Sequence, residues 1–339
     1  GQWDGPAVQE VRRNLFVYHM PHRFAPTGRL PLPLAKAAMR ANGALMARWI
    51  RREMARLGME RPILWNFSPL HGKAVARLPR CLAIYDICDE WANYIDYRAG
   101  RALIGWVEQE LCRTADLVFV GTENGKRLRG GINPEMHVVP HGADYAHFVT
   151  GADPATPVPE DIAQLPKPVI GSVGVMDPAR FDVDTIAHIA QTRPDWSIAL
   201  VGPARADMDL TRLKSCSNVY LLGNRPITAL PGYLKGMDVA LIPYKINEAT
   251  RNIYPLKLQE YLATGTPVVS SPMPAVLPYR DVVAIAESPD AFVEAIAGAL
   301  DDDAAAPREA RQAVARSNSW ECRIEEKSAH VLRVLGGTT

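Results

Sequence analysis

The residues with the most chemical content lie between Asn252 and Val269, in Asn-Ile-Tyr-Pro-Leu-Lys-Leu-Gln-Glu-Tyr-Leu-Ala-Thr-Gly-Thr-Pro-Val-Val. A proline at 255, apolar residues at helical spacing and Gly265 at the far end predict a short helix, and Pro267 then opens a buried strand. The free backbone N–H groups at the start of such a helix, around Tyr254, Pro255 and Leu256, carry partial positive charge that suits a phosphate. Lys257 adds a point charge one turn inside. Glu260, three residues further on the same face, can accept hydrogen bonds from two vicinal hydroxyls. Phosphate recognition beside diol recognition describes a nucleotide-sugar. Taken singly, each residue would be a solvated charge on a helix surface; the joint spacing carries the reading.

A second group is Tyr85-Asp86-Ile87-Cys88-Asp89-Glu90-Trp91, which places carboxylates at the end of an apolar run. Asp89 and Glu90 are candidates for a general base on an acceptor hydroxyl, with helix capping as the plainer alternative. His71 is expected to cap a helix and His141 to shape a turn.

Composition narrows the classes. The 339 residues are 47% hydrophobic and 22% charged with a net charge of +1, the balance of a folded protein with no general attraction for nucleic acid. Five cysteines are scattered without a C-x-x-C pair, so neither a disulfide framework nor a zinc site is expected, no other metal or cofactor is called for, and a reducing cytoplasm fits. No apolar run approaches the roughly 20 residues of a spanning helix. Lys36, Arg40, Arg48, Arg51, Arg52 and Arg56, opposed by Glu53 and interleaved with Leu45, Met46, Trp49 and Ile50, form a basic amphipathic pattern. It suits contact with an anionic membrane or a solvated face equally well.

The elements that must position these residues alternate as in a parallel sheet. Strands are expected at 14–18, 62–66, 81–87, 116–120 and 136–139, with helices near 34–57, 101–114 and 122–130. After a Pro, Ala and Asp mixture the alternation restarts with strands at 169–173, 197–201, 219–221, 239–242, 267–269 and 282–286. Helices at 306–317 and 320–335 end the chain. The expected organisation is an α/β chain with a first domain over 1–150, a linker over 151–167, a second domain over 168–318, and a last helix, 319–339, returning towards the first domain. Two doubly wound sheets would face each other across a cleft.

The stretch around Lys257 and Glu260 resembles the donor-binding motif of GT-B glycosyltransferases of family four and its relatives, in which two glutamates bracket seven residues and a run like Gly-Thr-Pro-Val-Val follows. Four further segments resemble family motifs in family order: Val138–Asp144, Pro168–Gly174, Asn218–Gly223 with Leu230–Leu234, and Asp238–Tyr244. The form Pro-Leu-Lys-Leu-Gln-Glu-Tyr-Leu-Ala-Thr-Gly is nearer to a sub-group resembling teichuronic-acid and other bacterial polysaccharide glycosyltransferases. The resemblance implies that Glu260 binds the ribose hydroxyls and that Lys257 contacts the diphosphate. Asn252 stands where the family has its first glutamate, which contacts the transferred sugar. Gly174, Arg180, Arg225, Tyr244 and Arg251 complete the implied donor set.

Family members begin with a strand and a glycine-rich loop; neither is found before Asn14, so the first domain is expected to lack them. The implied activity is metal-independent transfer, with retention, of a sugar from a nucleotide-diphosphate-sugar to a glycan or lipid-linked acceptor. A nucleotide-sugar epimerase of the same fold and a non-catalytic donor-binding module are the alternatives.

Overall fold

The computed structural model describes residues 8–19, 30–94, 98–301 and 307–337. The helix start expected at Ala306 lies outside them. The chain divides into two compact units. One holds the residues as far as Val120, Lys126–Val138 and those from His330; the other holds Gly121–Gly125 and Val139–Ala329.

In the first unit the order is β1 (Val8–Arg12), β2 (Leu15–Tyr18), α1 (Leu32–Arg56), β3 (Ile63–Asn66), α2 (Gly72–Val75), β4 (Leu82–Ile87), α3 (Arg98–Thr114) and β5 (Leu117–Val120). Next come α4 (Glu123–Leu128) and β6 (Met136–Val138). Strands β3, β4, β5 and β6 form a parallel sheet in that order. Every residue of β4 and β5 is buried, the continuous apolar run of strands covered on both faces. Helix α1 buries Ala35, Met39, Gly43, Met46, Ala47 and Met54 at three- to four-residue spacing. A Cβ on Gly43 would stand 2.4 Å from the Lys73 Cβ, so glycine is what allows α1 and α2 to approach.

One expected strand has a different partner. Residues 14–18 were expected to join the parallel sheet, whereas β2 pairs antiparallel with β1 in a separate two-stranded sheet. The turn between them is made by Asn14 at φ 61°, a backbone region asparagine tolerates.

The second unit runs α5 (Tyr145–Phe148), α6 (Glu160–Ala163), β7 (Val169–Val173), α7 (Val183–Thr192), β8 (Ser197–Val201), α8 (Thr211–Lys214), β9 (Val219–Gly223), α9 (Leu230–Lys235) and β10 (Val239–Ile242). It continues with α10 (Lys257–Thr264), β11 (Val268–Ser270), β12 (Ala284–Ile285), α11 (Pro289–Leu300), α12 (Arg308–Ser317) and α13 (Trp320–Gly336). The sheet order is β12-β11-β10-β7-β8-β9, all parallel. In order of appearance within the unit this is 6-5-4-1-2-3, the doubly wound arrangement. Its topological switch point lies between β7 and β10, and such sheets bind ligands beyond the carboxyl ends of the strands there.

Alternate residues feed the two faces of this sheet. Val173 and Ala240 pack with Leu258, Tyr261 and Leu262 of α10, while Ile170 and Leu241 pack with Ile186 and Ile296. Residues 151–167, expected as a linker, are packed into this unit: Ile162 of α6 is buried in the same cluster as Phe148 and Tyr233. Helix α13 belongs to this unit as far as Ala329. From His330 it belongs to the first, where the His330 ring stacks on His137 at 3.9 Å and Arg333 bonds Glu135 at 2.6 Å. No helix among the described residues is long and apolar enough to cross a membrane.

Candidate donor site

Helix α10 is fixed to the sheet before any of its residues can act. Leu258, Tyr261 and Leu262 are fully buried, each contributing about 1.5–3 kcal/mol of apolar burial. The Tyr261 hydroxyl accepts from the Val173 N–H at 2.7 Å and donates to the Val173 carbonyl at 3.0 Å, tying the helix to the last residue of β7. At the far end Gly265 takes φ 77° and closes the helix in the left-handed conformation. Buried Arg311 of α12 donates to its carbonyl at 2.9 Å, a cation at the negative end of the helix.

The opposite end of α10 is open. Pro255 and Leu256 supply carbonyls to the N–H groups of Leu258 and Gln259 at 3.0 and 3.1 Å. Among the described residues the N–H groups of Leu256 and Lys257 donate to nothing, so they are available to an anion. Tyr254, in contrast, is buried by its side chain: its hydroxyl meets Tyr279 at 2.8 Å and accepts from Gln259 at 2.7 Å. Its ring therefore shapes the entrance from behind and does not reach into it.

Lys257 is half-buried at the switch point. Its Nζ lies 5.1 Å from the centre of the Tyr244 ring, beyond the end of β10, and 3.1 Å from where a Cβ on Gly174 would be, beyond the end of β7. Burial works against its charge, but the phenol oxygens of Tyr261 and Tyr244 and the Glu260 carboxylate outweigh it, leaving its pKa above the ordinary lysine value. Gly174 has φ 124° and Gly202, after β8, has φ 141°; a Cβ on Gly202 would strike the Gly174 carbonyl oxygen at 2.1 Å. Glycine at both strand ends lets the backbone come close to this cation and to whatever it binds.

Glu260 is half-buried, and among the described residues nothing donates a hydrogen bond to its carboxylate. Burial raises its pKa above the usual glutamate value, against the lowering influence of Lys257 and His147. A partly desolvated carboxylate without a partner is costly in a resting protein and is what a ligand carrying hydroxyls would satisfy.

Of the other expected donor residues, Arg180 is drawn to the same neighbourhood by the backbone. Its carbonyl accepts from the Lys245 N–H at 2.7 Å, and the adjacent Phe181 bridges Tyr244. Its guanidinium lies 3.9 Å from Asp177. Arg251 is exposed in the turn before α10. The Asn252 side chain donates to the Glu248 carbonyl at 3.2 Å and accepts from Asn124. Arg225 forms an ion pair with Asp161 at 2.8 Å, and both contact Tyr233.

The expected catalytic pair fares differently. Both Glu90 oxygens accept from Arg129, at 3.0 and 3.1 Å, and Arg129 also bonds Glu108 at 3.0 Å while only 6% exposed. Glu90 is thus a counter-ion that keeps a buried guanidinium charged, with both carboxylate oxygens engaged, an arrangement that competes with service as a base. Asp89 adjoins this pair in sequence. His71, expected as a cap, makes no side-chain capping bond; burial lowers its pKa.

Sequence reasoning missed Gly202, the Tyr261 tether, His147 and Arg311. Gly202 had a signal, since it follows the apolar run of β8 as Gly174 follows β7. The others act through contacts that no local pattern announces.

A parallel sheet wound in this order, with glycine-lined strand ends and an open helix start at its switch point, is a doubly wound ligand-binding arrangement of the kind found in the GT-B fold. Residues 167–302 match the family model described as "Glycosyl transferases group 1". The chain is 28% identical over 259 residues to the Bacillus subtilis protein named "Putative teichuronic acid biosynthesis glycosyltransferase TuaH", covering 70% of this chain. It spans 64% of the length of that relative. Among solved structures, sucrose-phosphate synthase from Thermosynechococcus elongatus superposes with a TM-score of 0.71 at 18% identity, over 99% of this chain and 87% of that one. Anabaena HepE, solved in complex with UDP and glucose, gives a TM-score of 0.63 at 17% identity, over 80% and 77%. These structural likenesses establish the fold.

Proposed function

We propose that this chain transfers a sugar from a nucleotide-diphosphate-sugar to a glycan or lipid-linked acceptor in polysaccharide synthesis of the bacterial type. The observation that carries the reading is the pairing of a partnerless, half-buried Glu260 with an open helix start and Lys257 at the switch point of the second sheet. In this reading Glu260 accepts from the two ribose hydroxyls, and Lys257 with the N–H groups of Leu256 and Lys257 holds the diphosphate. As the bond from sugar to diphosphate breaks, negative charge grows on the departing phosphate, where these groups are already in place. The name of the Bacillus relative and the UDP and glucose in the Anabaena structure agree with it.

The finer reading is transfer without a metal ion and with retention, at the inner face of a membrane. Lys257 and the helix start supply the positive charge a metal would bring. The engagement of Glu90 by Arg129 favours a route in which the leaving phosphate, and no protein carboxylate, takes the acceptor proton.

Isothermal titration with uridine, guanosine and adenosine diphosphates tests the site. One of them should bind the wild type and lose affinity in Glu260→Ala; failure of all three would remove the basis of the proposal. Product analysis of the nucleotide-sugar with and without acceptor then separates transfer from epimerisation and from donor binding alone.

A further inference from the structure

The amino end of α10 carries the free N–H groups, yet no side chain caps it and Pro255 brings no donor of its own. Its geometry is set from behind. Tyr254, 8% exposed, stands just before the entrance, and its hydroxyl is one link in a chain of largely buried side chains. Gln259 reaches back over the intervening residues to donate to it at 2.7 Å, a clamp across the open turn. On the other side Tyr254 meets Tyr279, in the turn between β11 and β12, at 2.8 Å. Tyr279 donates to Asn318 Oδ1 at 3.2 Å, and Arg323, in the first turn of α13, donates to the same oxygen.

The chain has one direction. The Asn318 amide nitrogen donates to the Val314 carbonyl at 2.8 Å, which leaves the amide oxygen as the acceptor. Tyr279 then donates to Asn318, Tyr254 to Tyr279 and Gln259 to Tyr254, so each of the two hydroxyls both accepts and donates. Burial pushes the Tyr254 phenol above its ordinary pKa and keeps that proton in place. Links aligned in this way polarise one another, so cutting one weakens the others.

Filling the core does not account for the arrangement. Phenylalanine at 254 and 279 would pack the same space with no polar group to satisfy, and Gln259, fully buried, keeps its Oε1 without a donor among the described residues. An unused acceptor in the interior costs stability. What the chain adds is orientation: the β11–β12 turn and the α12–α13 junction are both fastened to the residue just before the free N–H groups.

We infer that Tyr279, Asn318 and Arg323 are positioning residues of the donor site, which through Tyr254 and Gln259 hold the amino end of α10 in the conformation that meets the diphosphate. The inference rests on the reading of α10 as the diphosphate site and extends it to side chains that touch no part of the donor.

The test compares a nucleoside diphosphate, by calorimetric titration, with the bare nucleoside, by ligand-observed nuclear magnetic resonance, in wild type, Tyr254→Phe, Tyr279→Phe and the double variant. Each single variant should weaken the diphosphate on the order of tenfold and leave the nucleoside within about twofold of wild type, which also shows that the variant is folded. The double variant should lose no more than either single one, because the chain is cut once. Arg323→Met should weaken the diphosphate in the same sense. Variants that lose both ligands by one factor, that lose neither, or whose losses multiply in the double variant would overturn the inference while leaving the donor reading in place. A wild type that binds no nucleoside diphosphate would overturn both.

Discussion

Replacing Glu260 should move donor affinity and protein stability in opposite directions. Two hydroxyls donating to one carboxylate make two charge-assisted hydrogen bonds, each worth about 1.5–3 kcal/mol when a partner is deleted. Truncation to alanine lets water reach the hydroxyls again, which reduces the loss to roughly 2–4 kcal/mol, or about 30- to 700-fold in Kd. Stability follows from linkage. Burial raises the Glu260 pKa in the folded chain, so the folded state holds its proton more tightly than the unfolded state does. Its contribution to stability is therefore fully present below the unfolded pKa and is lost as pH rises through the raised folded pKa. At neutral pH the ionised carboxylate is a liability, and Glu260→Gln removes it. Thermal melts of the ligand-free protein at pH 7 should show a higher Tm for Glu260→Gln than for wild type, with the difference shrinking in acid. Nucleoside diphosphate affinity of the wild type should also fall as pH drops through the raised pKa, because the acceptor becomes a protonated acid. A Glu260→Gln variant that melts lower at pH 7 and binds as tightly as wild type would refute the reasoning on both counts.

Other consequences are as direct. Lys257→Ala should weaken a nucleoside diphosphate by about 10- to 100-fold, in the range of one charge-assisted contact, yet leave the bare nucleoside nearly unchanged; parallel titrations read the difference. Gly202→Ala should cost about 1–3 kcal/mol in denaturant unfolding, since alanine must adopt a φ of 141° and its Cβ meets the Gly174 carbonyl. Arg129→Met should destabilise the chain by about 3–5 kcal/mol by stranding Glu90 and Glu108. In Glu90→Gln/Arg129→Met, where the ion pair is removed together, part of that stability should return and donor affinity should stay at the wild-type value.

What the sequence disclosed follows from range. The strands of the second unit were readable because buried parallel strands are continuous apolar runs, as at Val169–Val173 and Val239–Ile242. Lys257, Glu260 and Gly265 were readable because one short helix carries them in fixed spacing. Strand β1 was not, since Val-Gln-Glu-Val-Arg buries almost nothing and takes its form only from pairing with β2. Residues 151–167 had no periodicity because α6 is a single turn in which Ile162 is the one buried residue. The partnership of Glu90 with Arg129 spans 39 residues and joins a loop to the residue after α4, so no local pattern could separate a base from a buried counter-ion. The tether from Tyr261 to Val173 spans 88 residues and is equally silent.

The central claim is that Glu260 holds a ribose diol, and it is tested most directly by a double cycle of ligand and residue. The nucleoside diphosphate that binds the wild type is compared with its 2′,3′-dideoxy counterpart, in wild type and in Glu260→Ala, by calorimetric titration. The two ligands should differ by about 30-fold or more in the wild type and by less than about threefold in the variant. The same ratio in both proteins would mean that the carboxylate and the hydroxyls never meet.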